Sequence, residues 1–236
     1  MRTTAKRIDI KGQIVESGND WIYDWLGVEN TSPKRVLKAL QEAGGEDIEI
    51  YINSPGGSVF AGSEIYTELR NYAGKKLIKI TGIAASAASV IAQAGESEIS
   101  PTGMFMMHNV KTSASGDYRD MDNTGDALRA ANQSIMNAYI DKTGMDIGTL
   151  QELMDRETYL SAQQAVEYGF VNKIMFSDNA VPMYNGFDII PNETIEKIRN
   201  IIKAPGHDDS DCLIKKKAAA RLRMLNLKGE KINDKN

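Results

Sequence analysis

Cysteine is nearly missing from this chain: Cys212 stands alone among 236 residues. A lone cysteine has no partner for an intramolecular disulfide, so the fold must rest on its core, and a reducing compartment such as the cytoplasm suits it. Histidine is almost as scarce, with only His108 and His207, so each stands out. Long apolar runs are lacking too. None approaches the roughly 20 residues of a membrane helix, and the basic start Met1 to Arg7 has no apolar stretch behind it, so neither a membrane anchor nor a signal peptide is expected. Net positive charge is absent: a formal charge of −4 and a pI near 5.4 give no global reason to expect nucleic acid as a partner.

What is present reads as an α/β domain with an appendage. Ile8, Ile10 and Ile14 fall at even spacing in a strand from Arg7 to Val15, and Ile48, Ile50 and Ile52 do the same between Asp47 and Asn53. Between them, Ser32-Pro33 starts a helix that Gly44-Gly45 ends. After a turn at Ser54 to Gly57, helical spacing resumes through Gly62, Ile65, Tyr66 and Leu69. A strand from Leu77 to Ile83 then runs into a small-residue helix, Ala84 to Ala94, and a short buried strand, Met104 to Met107, ends at His108. This rhythm predicts a largely parallel sheet with helices on its faces. Downstream, Lys111 to Asp120 reads as a flexible loop or edge strand and Asp122 to Thr143 as one long helix. Ser161 with Gln164 forms a capping box, and Phe170 to Met175 a last strand. Composition shifts after Phe176. Residues 1–176 are expected to form the globular domain, and 177–236 a partly helical, basic extension with apolar positions Ile195, Ile198 and Ile202.

Three stretches could carry chemistry. In Gly82-Ile83-Ala84-Ala85-Ser86-Ala87-Ala88 a strand ends and a serine lands at a helix N-terminus, where free N–H groups and the helix dipole favour developing negative charge. Read alone, Ser86 is as readily a helix cap. In Ile52-Asn53-Ser54-Pro55-Gly56-Gly57-Ser58-Val59 the paired glycines let backbone N–H groups approach a bound carbonyl, although a plain turn has the same composition. His108 stands where a buried strand opens into a loop, a place from which a general base can reach nucleophile and substrate, and where a structural histidine fits equally. His207, among flexible acids in Gly-His-Asp-Asp-Ser-Asp, reads as solvated linker, so no metal or other cofactor is expected.

Together these stretches resemble the proteolytic subunit of Clp protease (ClpP) over roughly residues 7 to 176. Residues 52–59 resemble that family's oxyanion loop, Gly82 to Ala88 its nucleophile segment, and Met106-Met107-His108-Asn109 its histidine segment. Tyr159-Leu160-Ser161-Ala162, continued by Ala165 to Gly169, resembles the helix after its acidic residue. The resemblance implies the ClpP/crotonase-like fold, a superhelical parallel sheet with flanking helices and a long handle helix. It implies a serine endopeptidase with Ser86 as nucleophile, His108 as base, Gly57 and Ala87 as oxyanion donors, and Asn109, Val110 and Lys111 along an extended peptide substrate. Where the family has aspartate as third member, this sequence has Glu157, with Asp155 the near alternative. A homo-oligomer built on heptameric rings follows from the same resemblance.

With Leu222, Leu225, Leu227 and the Lys/Arg-rich run Lys215 to Lys228, the extension resembles the tails of phage head-maturation proteases, which implies a prophage or phage enzyme that trims capsid or scaffold proteins in the host cytoplasm. Four alternatives stay open: a Clp subunit fed by an ATPase, a crotonase-type acyl-CoA enzyme, a Ser/Lys peptidase of the signal-peptide-peptidase branch, and an inactive assembly protein.

Overall fold

Alternating isoleucines dictate the sheet. In the computed structural model, which describes residues 5–177, the elements follow in the order β1 (Lys6–Ile14), α1 (Asp20–Trp25), β2 (Asn30–Thr31), α2 (Pro33–Ala43), β3 (Ile48–Gly57), α3 (Val59–Asn71), β4 (Lys76–Ala85) and α4 (Ala87–Ile91). A 3-10 turn (Ala92–Ala94) continues α4, and then come β5 (Glu96–Ile99), β6 (Met104–Met107), α5 (Tyr118–Thr143), α6 (Ile147–Asp155), β7 (Thr158–Ser161), α7 (Ala162–Glu167) and β8 (Lys173–Ile174). The strands order as β2-β1-β3-β4-β5-β8, all parallel; β6 joins β4 in parallel, and β7 pairs with β6 antiparallel. Register aligns one row of side chains across five strands: Ile10, Ile52, Ile80, Ile99 and Ile174. The first four of these are fully buried, each stabilising the fold by about 1.5–3 kcal/mol. Val36 and Leu40 of α2 and Ile65 and Leu69 of α3 pack into the same core.

The opposite pleat positions carry charge. Arg7 stacks over the Tyr51 ring at 4.0 Å, and Lys79 reaches Glu49 at 2.7 Å. Although parallel, this part of the sheet keeps one polar face that no described helix covers, whereas the β-α rhythm led one to expect helices on both. The strict apolar/polar alternation of β1 and β3 was the sign of it.

Strand β4 forks. Its first half, Leu77 to Ile80, pairs with β5, and its second half, Ile83 to Ala85, pairs with β6. Near the fork, the Ile83 N–H donates to Asn53 Oδ1 at 3.2 Å. The ends of β3 and β4 therefore run on past β5, and the turns that follow them lie side by side.

Several expectations shift accordingly. Ser54 to Gly57 is not a free turn but the end of β3, because Gly56 and Gly57 still pair with Gln13 and Ile14 of β1. Likewise Ala84 and Ala85 belong to β4, so the helix expected from Ala84 starts only at Ala87. The long helix begins at Tyr118, four residues early, because Asp117 and Asp120 form a capping box. The last strand shrinks to Lys173–Ile174. The sequence pattern did not mark α1, β2, β5 or α6, and Tyr159 to Ser161, grouped there with the following helix, instead belong to strand β7, held by its antiparallel pairing with β6. No described helix is long and apolar enough to cross a membrane. The extension beyond Ser177, with His207 and Cys212, lies outside the described residues.

Candidate active site

Ser86 links β4 to α4 with φ 55° and ψ −125°, a region that side chains other than glycine rarely adopt. Its N–H donates to the Met106 carbonyl at 3.0 Å, and its carbonyl accepts from the N–H of Ser89 at 2.9 Å. These bonds aim the hydroxyl out of the turn. Met106 belongs to β6, and two residues on, His108 brings Nε2 to 2.8 Å from Ser86 Oγ. Residues 22 apart in sequence thus meet because β6 pairs with the far half of β4.

The imidazole is half-buried and its pKa is held below the ordinary histidine value. Burial is the main cause and the Lys111 ammonium adds to it, while Glu157 and the backbone of Asn109 oppose them. A histidine so placed is neutral at neutral pH, with a free lone pair to accept a proton. Its other nitrogen, Nδ1, is buried and makes no hydrogen bond of ordinary geometry within the described residues.

The Pro-Gly-Gly end of β3 closes one side. Ser54 Oγ donates to the Gly12 carbonyl at 2.6 Å and accepts from the Gly56 N–H at 3.1 Å, pinning the loop from within. Gly56 (φ 95°) lies so close to the serine turn that a Cβ there would stand 2.6 Å from Ser86 Cβ. Gly57 (φ 151°) is as constrained, since its Cβ would meet the Ile14 carbonyl oxygen at 2.1 Å. Gly57, Ser86, Ala87 and His108 all line one cleft of about 280 Å³. Its inner end is apolar, formed by Val59, Val90, Ile135 and Tyr139.

The structure does not bring every expected residue to the imidazole. Glu157, also at positive φ (50°), directs its carboxylate to Lys111 Nζ and stays exposed. Lys111 holds that carboxyl below its usual range. Asp155 accepts from Asn109 Nδ2 and Gln151 Nε2, each at 2.7 Å, so neither acid bonds to His108. Asn109, Val110 and Lys111 line the cleft outside any strand or helix. Among the described residues no three metal-ligating side chains cluster.

Sequence reasoning missed Asn132, whose Oδ1 accepts the Val110 N–H at 2.7 Å, and the buried pair Ser89 and Tyr139. Tyr139 is buried on α5 beside Ile135, Met136 and Ala138. Nothing in the spacing of Asn132 marked it.

The chain is similar to known proteins over most of the described residues. The Clp protease family model matches residues 28–178. An ATP-dependent Clp protease proteolytic subunit of Bacteroides fragilis is 33% identical over 149 residues, covering 62% of this chain and 72% of that protein. The corresponding subunit of Ligilactobacillus salivarius is 35% identical over 133 residues, or 55% and 68% of the two chains. Proteolytic subunit 1 of Chlamydia muridarum is 30% identical over 140 residues, or 57% and 73%.

Proposed function

The chain belongs to the Clp protease family, and from that premise we propose that it is a serine endopeptidase acting through Ser86 and His108. The observation that carries the reading is the 2.8 Å bond between Ser86 Oγ and the Nε2 of a neutral, half-buried imidazole. In this scheme Nε2 takes the hydroxyl proton as Oγ attacks a peptide carbonyl, and the imidazolium then returns it to the leaving amine. The backbone N–H groups of Gly57 and Ala87 hold the oxyanion. An extended peptide lies along Asn109 to Lys111, and an apolar side chain before the scissile bond fills the space among Val59, Val90, Ile135 and Tyr139. Glu157 serves as the third member by leaving Lys111 and accepting from His108 Nδ1, which is buried and has no hydrogen-bond partner of ordinary geometry among the described residues.

Residues 1–176 form the peptidase, working as a ring-forming homo-oligomer in the bacterial cytoplasm. Its substrates are capsid or scaffold proteins of a phage or prophage, a reading supported by the resemblance of residues 177–236 to the tails of head-maturation proteases. The names of the three relatives favour a second reading, a proteolytic subunit fed by an ATPase.

A fluorophosphonate probe tests the chemistry. The assembled chain is expected to be labelled at Ser86, with labelling abolished in Ser86→Ala and reduced about a thousandfold or more in His108→Ala. An unlabelled wild-type assembly would refute the peptidase. Cleavage of a purified phage capsid protein without ATP separates the phage reading from the ATPase-fed one.

A further inference from the structure

Behind Ser86 lies a pair of buried hydroxyls that this scheme leaves unused. Ser89 Oγ sits 2.6 Å from the Ser86 carbonyl oxygen and 2.7 Å from the Tyr139 hydroxyl. Both side chains are shielded from solvent, Ser89 fully and Tyr139 to within 1%. The direction of the protons follows from what each group can do. A carbonyl only accepts, so the single Ser89 proton goes to Ser86, and Tyr139 must therefore donate to Ser89. Burial pushes the phenol far above its ordinary value, so it remains a donor at any working pH.

Two further facts give the pair a purpose. Ser86 holds a strained backbone conformation, and such conformations persist only where their surroundings over-determine them. Of the three donors reaching its carbonyl, the Ser89 hydroxyl is the nearest at 2.6 Å, against 2.9 Å and 3.4 Å for the N–H groups of Ser89 and Val90. Tyr139, for its part, stands edge-on against the stacked rings of Phe105 and Phe170, with ring centroids at 6.5 and 5.8 Å. A rigid phenol on α5 is thus tied to the nucleophile's main chain through Ser89, a residue 50 positions before it.

We infer that Tyr139 and Ser89 are positioning residues: their hydroxyls hold the Ser86 carbonyl so that Oγ stays aligned with His108 and the Ala87 N–H stays turned toward the cleft. Buried hydroxyls that satisfy only each other and one carbonyl admit a single arrangement, whereas an alanine and a phenylalanine would fill the same space without fixing the turn. This inference rests on Ser86 being the nucleophile.

The test uses the full chain and four proteins: wild type, Tyr139→Phe, Ser89→Ala and the double variant. For each, the rate of fluorophosphonate labelling at Ser86, kcat and KM on a fluorogenic peptide, and the melting temperature are measured. Tyr139→Phe is expected to label about tenfold more slowly, with kcat reduced in step and KM unchanged, as small misplacements of a reacting group do. The double variant leaves no orphaned hydroxyl and should melt like wild type. It should nevertheless remain as slow as the slower single variant. Recovery of the wild-type labelling rate in the double variant would reduce the pair to packing and overturn the inference, as would wild-type rates in Tyr139→Phe. Failure of the wild-type chain to label at all would remove the peptidase reading itself, and this inference with it.

Discussion

Ser86 lines the cleft as its inner shoulder, while Glu157 stands outside it, bonded to the cleft-lining Lys111, as the outer one; both are non-glycine residues at positive φ, 55° and 50°. Their support differs. Ser86 is bound on both sides, through Met106 on one strand and through Ser89 and Val90 on the helix it starts. Glu157 has its N–H on the Met154 carbonyl at 3.1 Å, while its carboxylate is exposed and answers only to Lys111. Hydrogen bonds within a packed core fix position, whereas an exposed ion pair is screened and exchanges partners readily. The inner shoulder is therefore built into the fold, and the outer one is adjustable.

The harshest challenge to that contrast is Gly57→Ala. A Cβ at this φ, 2.1 Å from the Ile14 oxygen, cannot be absorbed without moving the end of β3. Peptide hydrolysis should fall about a hundredfold or more. Thermal denaturation should show a loss of ~2–4 kcal/mol. Near wild-type activity would mean that the inner shoulder also yields.

Changes on the outer shoulder should move the pH profile instead. In Lys111→Met the cation that lowers the His108 pKa is gone and Glu157, which raises it, is set free. The acid limb of kcat/KM should therefore shift to higher pH. Glu157→Gln removes the opposing charge and leaves Lys111 unpaired, so the limb should shift to lower pH. In Lys111→Met activity is retained above the limb, where the imidazole is neutral, whereas Glu157→Gln also lowers kcat because the third member is lost; the position of the limb, from rates measured across the acidic range, decides it. Shifts of the same sign in the two variants would break the picture of one carboxylate shared between a lysine and a histidine.

The smallest effect is expected at Asn132→Ala. The Val110 N–H loses its 2.7 Å acceptor, a bond whose net value is about 1 kcal/mol, so KM should rise about fivefold with kcat little changed. A fall in kcat with KM constant would place Asn132 with the inner shoulder.

Much of the inner shoulder was legible in the chain, because short-range signals coincide there. Even spacing marked β1 and β3, and paired glycines and a run of small residues marked the turns that bring backbone groups close. The helix expected from Ala84 starts three residues later because the second half of β4 finds a partner in β6, a pairing no local pattern announces. Asn132 and Tyr139 went unnoticed for a similar reason: on a helix of 26 residues, many positions share the same periodicity, and only the neighbour across the cleft selects among them.

The isoleucine periods of 2 and the helical periods between them were enough to determine an α/β sheet, since burying such rows leaves few other arrangements. The choice of which hydroxyl meets which imidazole, and which cation holds the carboxylate at 157, belongs to the tertiary structure. Those choices depend on the fork in β4 and on side chains 22 and 46 residues apart, and distances across a folded cleft are not written in the spacing of a single strand or helix.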